Sequence, residues 1–215
     1  MVQTDRMSGL REKQKAIRHD RIVDAATRLF REQGYDHVKM EAIAAVAEVA
    51  IGTIYNYYRN KGDLLVAIVS LEVEEVLRQG EQVIADPPRS AEDAVDALVG
   101  GYVEHSLHYL SKEMWRQAMA ISTVQPESPF GETYSALDVA LARQTCALIE
   151  KLQAMGSLSP GADAKALGEL IFNNTNMNFI AFVKDEAMTL AELRSHLCRQ
   201  HRAVLAGYRA VAAGG

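Results

Sequence analysis

Residues 38–60 contain two amphipathic segments that are too short to be stable helices on their own. The first places Ile43, Val46 and Ala47 on one face. The second, IGTIYNYYRN, begins after an interruption of about three residues, and a longer amphipathic segment precedes both. Short helices of this kind need a larger neighbour to pack against. The pattern therefore predicts an N-terminal three-helix unit with a helix-turn-helix.

The rest of the chain also has helical periodicity. The first long helix carries apolar residues at i, i+3 and i+4 spacing and is predicted to end at Gly34. Further helices are predicted at 62–85, 91–110, 112–124, 132–155, 162–185 and 189–212, with breaks at DPP, QPESPFG and GSLSPG. No segment alternates with period two between hairpin turns. The predicted fold is all-α, with a larger helical body following the N-terminal unit.

The second short helix has an inward and an outward face. Ile54 and Tyr58 are four residues apart and are expected to face inward with Val49. The outward set, which suits the edges of bases and the oxygens of phosphates, comprises Ile51, Gly52, Thr53, Tyr55, Asn56, Tyr57 and Lys61. This division predicts a helix that enters the major groove of DNA. A turn between helices with a solvated charge cluster is the alternative that periodicity leaves open.

Charge is distributed unevenly along the 215 residues, whose net charge is −5. Residues 1–65 hold 11 Lys+Arg against 9 Asp+Glu, and residues 66–215 hold 12 against 19. This favours a cationic module joined to an acidic body. The two cysteines, Cys146 and Cys198, are too few for a disulfide framework. With no apolar leader and no membrane-spanning run, the chain is expected to be cytoplasmic.

Residues 17–65 resemble the DNA-binding domain of TetR-family regulators. The signature of that family is matched in register by Ile43-Ala44, Ala47, Val49, Gly52-Thr53-Ile54-Tyr55, Tyr57-Tyr58, Lys61 and Leu64-Leu65. Three positions depart from it: Glu48 replaces a turn glycine, Ala50 replaces a capping serine, and Lys39-Met40 replaces Thr-Thr. If the backbone at Glu48 is left-handed, the side chain costs roughly 1–2 kcal/mol. The loss of the cap costs about 1 kcal/mol.

The resemblance implies three regions and two partners. Residues 1–16 are expected to be a flexible basic arm, 17–65 the DNA-binding domain, with Lys39 among its DNA contacts, and 66–215 an effector-binding and dimerisation domain. The partners are double-stranded DNA with a palindromic operator and a second copy of the chain. A stripe at spacings of 3, 4 and 7 suits a dimer seam or an intramolecular core, and its members include Leu193, Leu197, His201, Val204 and Tyr208.

An effector pocket is predicted in the body, with Tyr102, His105, Trp115, Met119, Phe172 and Asn176 as its proposed lining. Core packing is the alternative for each. The asparagines of FNNTNMNF bind a ligand, link the dimer bundle or are satisfied within the chain. No HExxH, GxSxG, CxxC or glycine-rich phosphate loop occurs. The sequence therefore predicts no catalytic site, no metal and no cofactor.

The resemblance thus implies a homodimeric repressor that a small molecule releases from DNA. The alternatives are a body that binds a protein partner, and an activator. The helix that begins near Gly62 is the expected mechanical link between the DNA-binding domain and the body.

Overall fold

The computed structural model describes residues 2–209, with side chains from Glu12 onward. Within that range the chain is helical, and its only β feature is an isolated antiparallel bridge between Leu158 and Arg209. The α-helices are α1 Val2–Gln33, α2 Met40–Val46, α3 Ile51–Tyr55, α4 Lys61–Ala85, α5 Ala91–His105, α6 Lys112–Val124, α7 Pro129–Ala154, α8 Ala164–Lys184 and α9 Leu190–Leu205, followed by a 3-10 turn at Ala206–Tyr208. The all-α prediction is confirmed.

Helix ends follow the local chemistry of the sequence. Gly34 ends α1 with a φ of 81°, which places it in the left-handed region that glycine tolerates, and its N–H donates to the Phe30 carbonyl. Ser90, Ser111, Asp163 and Thr189 each cap a helix with a side-chain oxygen. The α7 helix begins at Pro129, earlier than predicted, because proline suits the first helical position and Ser128 accepts the N–H of Gly131.

Three further predicted boundaries differ from the structure. The α5 helix ends at His105 rather than at residue 110, because a turn follows in which the Ser106 hydroxyl donates to the Val103 carbonyl. The α1 helix extends back to Val2, through residues 2–16 that were expected to be a flexible arm. That stretch is rich in good helix formers. The last helix, predicted to run to residue 212, ends at Leu205 and is followed by the 3-10 turn. The side chains of Arg6 and Arg11 lie outside the described residues.

The chain divides into two compact units. The first unit consists of the chain up to Val69 together with Tyr109–Gly131. It therefore contains α1, α2, α3, α6 and the start of α4. Its core is formed by buried residues of α1 to α4 and α6, among them Ile22, Phe30, Ile43, Ile54, Leu65 and Met114. The second unit holds Ser70–His108 and the chain from Glu132 onward. The predicted domain boundary at residue 65 stays a prediction.

Within the second unit, α9 packs against α5 and α8, and α7 crosses α8 closely. A methyl group added at Gly168 on α8 would lie 2.5 Å from the Cα atom of Cys146 on α7. Only glycine allows the two backbones to approach to this distance. The crossing therefore fixes α7 and α8 against each other at residue 168.

Candidate functional site

The α3 helix has a buried side and an exposed side, and most of the predicted assignments agree with them. Ile54 is completely buried and Tyr58, just beyond the helix, is 6% exposed. On the other side Ile51 is 39% exposed and Tyr55 48% exposed. Gly52 and Asn56 are also exposed, whereas Thr53 and Tyr57 are half-buried. The exposed set presents methyl, hydroxyl and amide groups, which are the groups that contact the edges of base pairs in the major groove.

The structure describes Lys39 as an exposed residue at the start of α2. It occupies the N-cap position with extended backbone, and its side chain makes no capping hydrogen bond. The ammonium group is therefore available at the positive end of a short helix, where phosphate oxygens are favoured electrostatically. This placement supports the predicted phosphate contact at Lys39.

Lys61 and Tyr57 have intramolecular partners that the sequence did not reveal. Lys61 Nζ donates to the carbonyls of Tyr35 (2.8 Å) and Asp36 (3.1 Å), and lies 4.7 Å from the centre of the Tyr35 ring. The Tyr57 hydroxyl donates to the carbonyl of Lys15 over 3.4 Å. Both side chains thus tie α3 and the start of α4 to the α1 segment and its following loop. Their predicted phosphate contacts remain predictions.

The turn between α2 and α3 has a left-handed backbone at Glu48, the position where the family has a glycine. Glu48 has a φ of 52°, in the left-handed region. Its carboxylate accepts a hydrogen bond from Arg21 Nη2 at 2.8 Å, and its carbonyl lies 3.4 Å from the same nitrogen. Ala50 is the N-cap of α3 and makes no side-chain cap bond. The expected strain and the expected loss of a cap are both present in the turn.

The start of α4 is closed by its own side chains. Asn60 Oδ1 accepts the N–H of Asp63 at 3.0 Å and so caps the N-terminus of α4. The Asp63 carboxylate accepts hydrogen bonds from the N–H of Arg59 at 2.8 Å and from Arg59 Nε at 3.1 Å. A carboxylate at this helix end repels a phosphate placed beside it.

Tyr58 is held against α1 with its hydroxyl buried. Its ring lies 5.9 Å from that of His19, and no hydrogen-bond partner for its hydroxyl exists in the part of the chain that the structure describes. Burial, with the negative charge of Asp20 and the neighbouring Tyr57, raises the pKa of Tyr58 to about 12. A buried hydroxyl without a partner has lost its hydration and gained nothing in return.

Replacing Tyr58 by Phe is therefore expected to increase the free energy of unfolding by about 1 kcal/mol. The measurement is urea-induced unfolding followed by circular dichroism. Tyr57→Phe is the matched control, since its hydroxyl is bonded to the Lys15 carbonyl and its removal brings no gain. A stability loss in Tyr58→Phe would show that the hydroxyl has a partner in solution.

The residues predicted to line a pocket fall in both units. Tyr102, His105, Phe172 and Asn176 belong to the second, and Trp115 and Met119 lie on α6 in the first. Trp115 and Phe172 are buried, and the other four are half-buried. The second unit has an open cleft of about 490 Å³ that includes His105; its lining residues are Gln79, Gly101, Glu104, His105, Leu107, His108 and Leu190. Of the predicted set, the cleft contains His105.

A polar network inside the second unit surrounds two of these residues. The Tyr102 hydroxyl donates to Gln144 Oε1 at 2.6 Å, and Gln144 Nε2 donates to the Leu77 carbonyl at 2.7 Å. Burial raises the pKa of Tyr102. His105 Nδ1 lies 2.5 Å from the carboxylate of Glu72, which is 2% exposed. Such buried, hydrogen-bonded polar groups are frequent in ligand sites.

Sequence reasoning missed Glu72, although the sequence contains a signal for it. Glu72 falls on the same i, i+3, i+4 grid as the buried residues Leu65, Ile68, Val69 and Val76 of α4. A carboxylate on an apolar grid predicts a buried charge with a partner. The partner, His105, belongs to another helix and has no sequence signal of its own.

The residues proposed for a dimer seam pack mostly inside the chain. Leu193, Leu197 and His201 of α9 are 1%, 2% and 4% exposed. These three residues therefore belong to an intramolecular core, which is one of the two alternatives that the sequence left open, because α9 lies against α5 and α8. Val204 is half-buried and Tyr208 is exposed. Burial lowers the pKa of His201, against the opposing influence of the Ile171 backbone and Asp96.

Two of the four asparagines in α8 link that helix to α9. Asn174 Nδ2 donates to Gln200 Oε1 at 2.9 Å and lies 3.2 Å from His201 Nε2. Asn178 Nδ2 donates to the same Gln200 oxygen at 3.0 Å and to the Asn174 carbonyl at 2.8 Å. Hydrogen bonding within the chain, one of the three predicted roles of the asparagines, thus accounts for Asn174 and Asn178.

None of the helices among the described residues is long and apolar enough to cross a membrane. Between Glu12 and Arg209 no three His, Cys, Asp or Glu side chains are grouped so that they would hold a metal ion.

The comparisons with known proteins agree with the geometry of the α2–α3 region. Residues 22–68 match the family model for bacterial regulatory proteins of the tetR family. The repressor KstR of Rhodococcus jostii is 27% identical over 168 residues, which cover 77% of this chain and 73% of KstR. The fatty acid metabolism regulator of Bacillus subtilis is 34% identical over 80 residues, covering 37% of this chain and 41% of that protein.

Solved structures show the same fold over most of the chain. A TetR-family regulator from Mesorhizobium loti superposes with a TM-score of 0.68 at 21% identity, covering 90% of this chain and 98% of that one. FadR from Bacillus subtilis, solved with stearoyl-CoA, has a TM-score of 0.63 at 18% identity and covers 85% and 97%. Together with the two faces of α3 and the strained α2–α3 turn, the family-model match over residues 22–68 and the likeness to KstR identify the chain as a TetR-family transcriptional regulator that binds DNA through its helix-turn-helix.

Proposed function

We propose that the protein is a homodimeric repressor that a small molecule, bound in the second unit, releases from a palindromic operator. The observation that carries the proposal is the solvent-facing side of α3, with Ile51 and Tyr55 exposed on a helix whose other side is anchored by Ile54. The likeness to KstR, which is named as a repressor and matches over most of both chains, supports repression rather than activation.

The dimer is supported by an apolar face on α8. Leu170 is 52% exposed and Met177 is 65% exposed, and their spacing of seven residues places both on one side of the helix. Ala166 and Ala181 extend the same side and are also exposed. A second copy covering this face would bury the stripe. A two-fold dimer is also what a palindromic operator requires of the protein that binds it.

For the effector we propose an amphiphile with an apolar chain, such as an acyl thioester. FadR of Bacillus subtilis was solved with stearoyl-CoA and shares this fold. In the present chain the second unit combines an apolar core with the buried Tyr102–Gln144 and Glu72–His105 pairs, which supply hydrogen-bonding groups for a polar head. A protein partner in place of a small ligand is the second candidate, and it would cover the exposed α8 face in place of a second copy of the chain.

Release follows from linkage between the two binding events. An effector that prefers a conformation with poor DNA affinity lowers the affinity of the protein for DNA. Bound DNA lowers the affinity of the protein for the effector by the same factor. We place the coupling in α4, which is continuous from Lys61 to Ala85 and carries both Lys61, bonded to the α1–α2 loop, and Glu72, bonded to His105.

Two substitutions are expected to separate base contacts from phosphate contacts. Thr53→Ala removes a hydroxyl from the groove-facing side and should weaken operator binding by about 1–2 kcal/mol, roughly 5- to 30-fold, with little effect on random-sequence DNA. Lys39→Gln should weaken binding to both, and should make the salt dependence shallower by about 0.9 per protomer. The measurement is fluorescence anisotropy of labelled duplexes across a salt series. Equal losses on both duplexes for Thr53→Ala would contradict its assignment to a base.

The experiment that tests the proposal uses purified full-length protein. Its oligomeric state is measured by sedimentation, its operator is recovered by selection from genomic fragments, and stearoyl-CoA, lauroyl-CoA and free coenzyme A are added to the protein–DNA complex. The proposal predicts a dimer, thermal stabilisation by the acyl thioesters, and release of DNA. A DNA-bound dimer that no acyl thioester stabilises would exclude this effector class. A DNA-bound monomer would overturn the homodimer.

A further inference from the structure

The turn between α2 and α3 holds the single non-glycine residue with positive φ in the described backbone, Glu48. Two oxygen atoms of Glu48 face one nitrogen atom of Arg21: the carboxylate at 2.8 Å and the carbonyl at 3.4 Å. Backbone strain of this kind persists where surrounding interactions hold it, and it concentrates at functional sites. The strained conformation and the double contact together fix the Glu48 carboxylate in front of the Arg21 guanidinium.

This ion pair lies at the edge of the DNA-binding face. Glu48 precedes Ile51, the first residue of α3, by three residues, so at most about 10 Å of chain separates them. That distance is comparable with the Debye length of about 8–10 Å at ordinary salt. Arg21 follows Lys15, whose carbonyl accepts the Tyr57 hydroxyl, by six residues or about 9 Å of helix. Both charges of the pair therefore lie within the electrostatic reach of bound DNA.

We propose that Glu48 acts as an intramolecular competitor for phosphate and so lowers the DNA affinity of the helix-turn-helix. A guanidinium group binds carboxylate and phosphate oxygens through the same charge-assisted hydrogen bonds. With Glu48 in place, Arg21 is neutralised and contributes no net charge towards DNA. The side chains are 42% and 83% exposed, so solvent has access to the pair and its exchange for a phosphate needs no unfolding.

The first consequence concerns Glu48→Gln, which keeps the shape of the side chain and removes its charge. Arg21 then becomes available to a phosphate, and DNA binding tightens several-fold at low salt. The slope of log K against log salt becomes more negative by about 0.9 per protomer. Raising salt from about 50 to about 200 mM then lowers the affinity about 3.5-fold more per protomer than in the parent protein, or about 12-fold more for a dimer.

The second consequence is coupling between the two residues, measured in a double-mutant cycle. With Glu48 present, Arg21→Gln leaves the salt slope within about 0.3 of the parent value, because Arg21 is already neutralised. In the Glu48→Gln background the same Arg21→Gln substitution makes the slope shallower by about 0.9 per protomer. A general field effect would instead give the same change in both backgrounds.

The test uses full-length protein, a labelled duplex obtained by in vitro selection and a random-sequence duplex of equal length. Competition for phosphate is independent of sequence, so the slope changes should be equal on both duplexes. Glu32→Gln is the matched control: it removes the same charge from an exposed residue of α1 that lies eleven residues, about 16 Å, from Arg21. It should leave the slope unchanged.

Two outcomes would overturn the proposal. One is a Glu48→Gln protein whose affinity and slope equal those of the parent while its melting temperature changes, which would make the pair purely structural. The other is a slope change of about 0.9 for Arg21→Gln with Glu48 present, which would mean that Arg21 already contacts phosphate. If Glu48→Gln folds poorly, Glu48→Gly removes the same charge without backbone strain, and the same slopes are expected from it.

Discussion

Phe30→Ala is expected to lower the free energy of unfolding by roughly 3–5 kcal/mol. Phe30 is completely buried in the first unit, where its ring lies 5.1 Å from that of Tyr35. Removing the ring loses its burial and leaves a cavity between α1 and the loop that Lys61 clamps. The measurement is urea-induced unfolding monitored by circular dichroism, with operator affinity measured on the same samples.

Phe30→Leu is the control for this substitution. Leucine keeps most of the buried volume, so its cost should be below about 2 kcal/mol. A loss under 1 kcal/mol for Phe30→Ala would mean that the site collapses around the missing ring or that it is already hydrated. The packing of α1 would then contribute less to the stability of the first unit than its burial implies.

Asp138→Asn is expected to stabilise the protein by roughly 2–3 kcal/mol near pH 7 and to have little effect near pH 4. Burial raises the pKa of Asp138 from its usual 3.8 to about 6. Between these two values the folded state binds a proton that the unfolded state does not. The contribution of this group therefore becomes less favourable as pH rises from about 4 to about 6, and the unfavourable effect is fully present above pH 6. Asparagine has no charge to bury.

Unfolding free energies at several pH values between about 4 and 7 test this expectation. The parent protein should lose part of its stability over that interval relative to Asp138→Asn, so the two curves should diverge with rising pH. Glu132→Gln on α7 is the control, because Glu132 is exposed and its neutralisation should leave the two curves parallel. Parallel curves for Asp138→Asn would show that the Asp138 carboxyl titrates as it does in the unfolded chain.

Local signals in the sequence were sufficient for the fold and for the faces of α3. Gly34 predicted the end of α1 because few other residues adopt a φ of 81° without strain. Ile54 and Tyr58 were assigned to the core by their spacing of four, and burial confirms both. Glu48 and Ala50 were recognised as departures from a glycine and a serine, and the structure contains the strain and the missing cap that follow.

Contacts between residues far apart in the sequence could not be predicted from local patterns. Lys61 was assigned to phosphate because nothing in its surroundings indicated the carbonyls of Tyr35 and Asp36, about 25 residues earlier. The α9 stripe was ambiguous because an apolar face has the same periodicity whether it meets α5 of its own chain or a second copy. No local pattern predicted the burial of Asp138, since that burial depends on how α7 packs.

The position of the chain's single tryptophan has a practical consequence. Trp115 is buried in α6, which belongs to the unit that contains the helix-turn-helix. The native protein thus carries an intrinsic fluorophore in that unit, and excitation at the red edge of indole absorption leaves the tyrosines of both units dark. Emission then reports on the DNA-binding unit alone. An effector that binds in the second unit of unlabelled protein shifts this emission only if its binding changes the surroundings of Trp115 in α6.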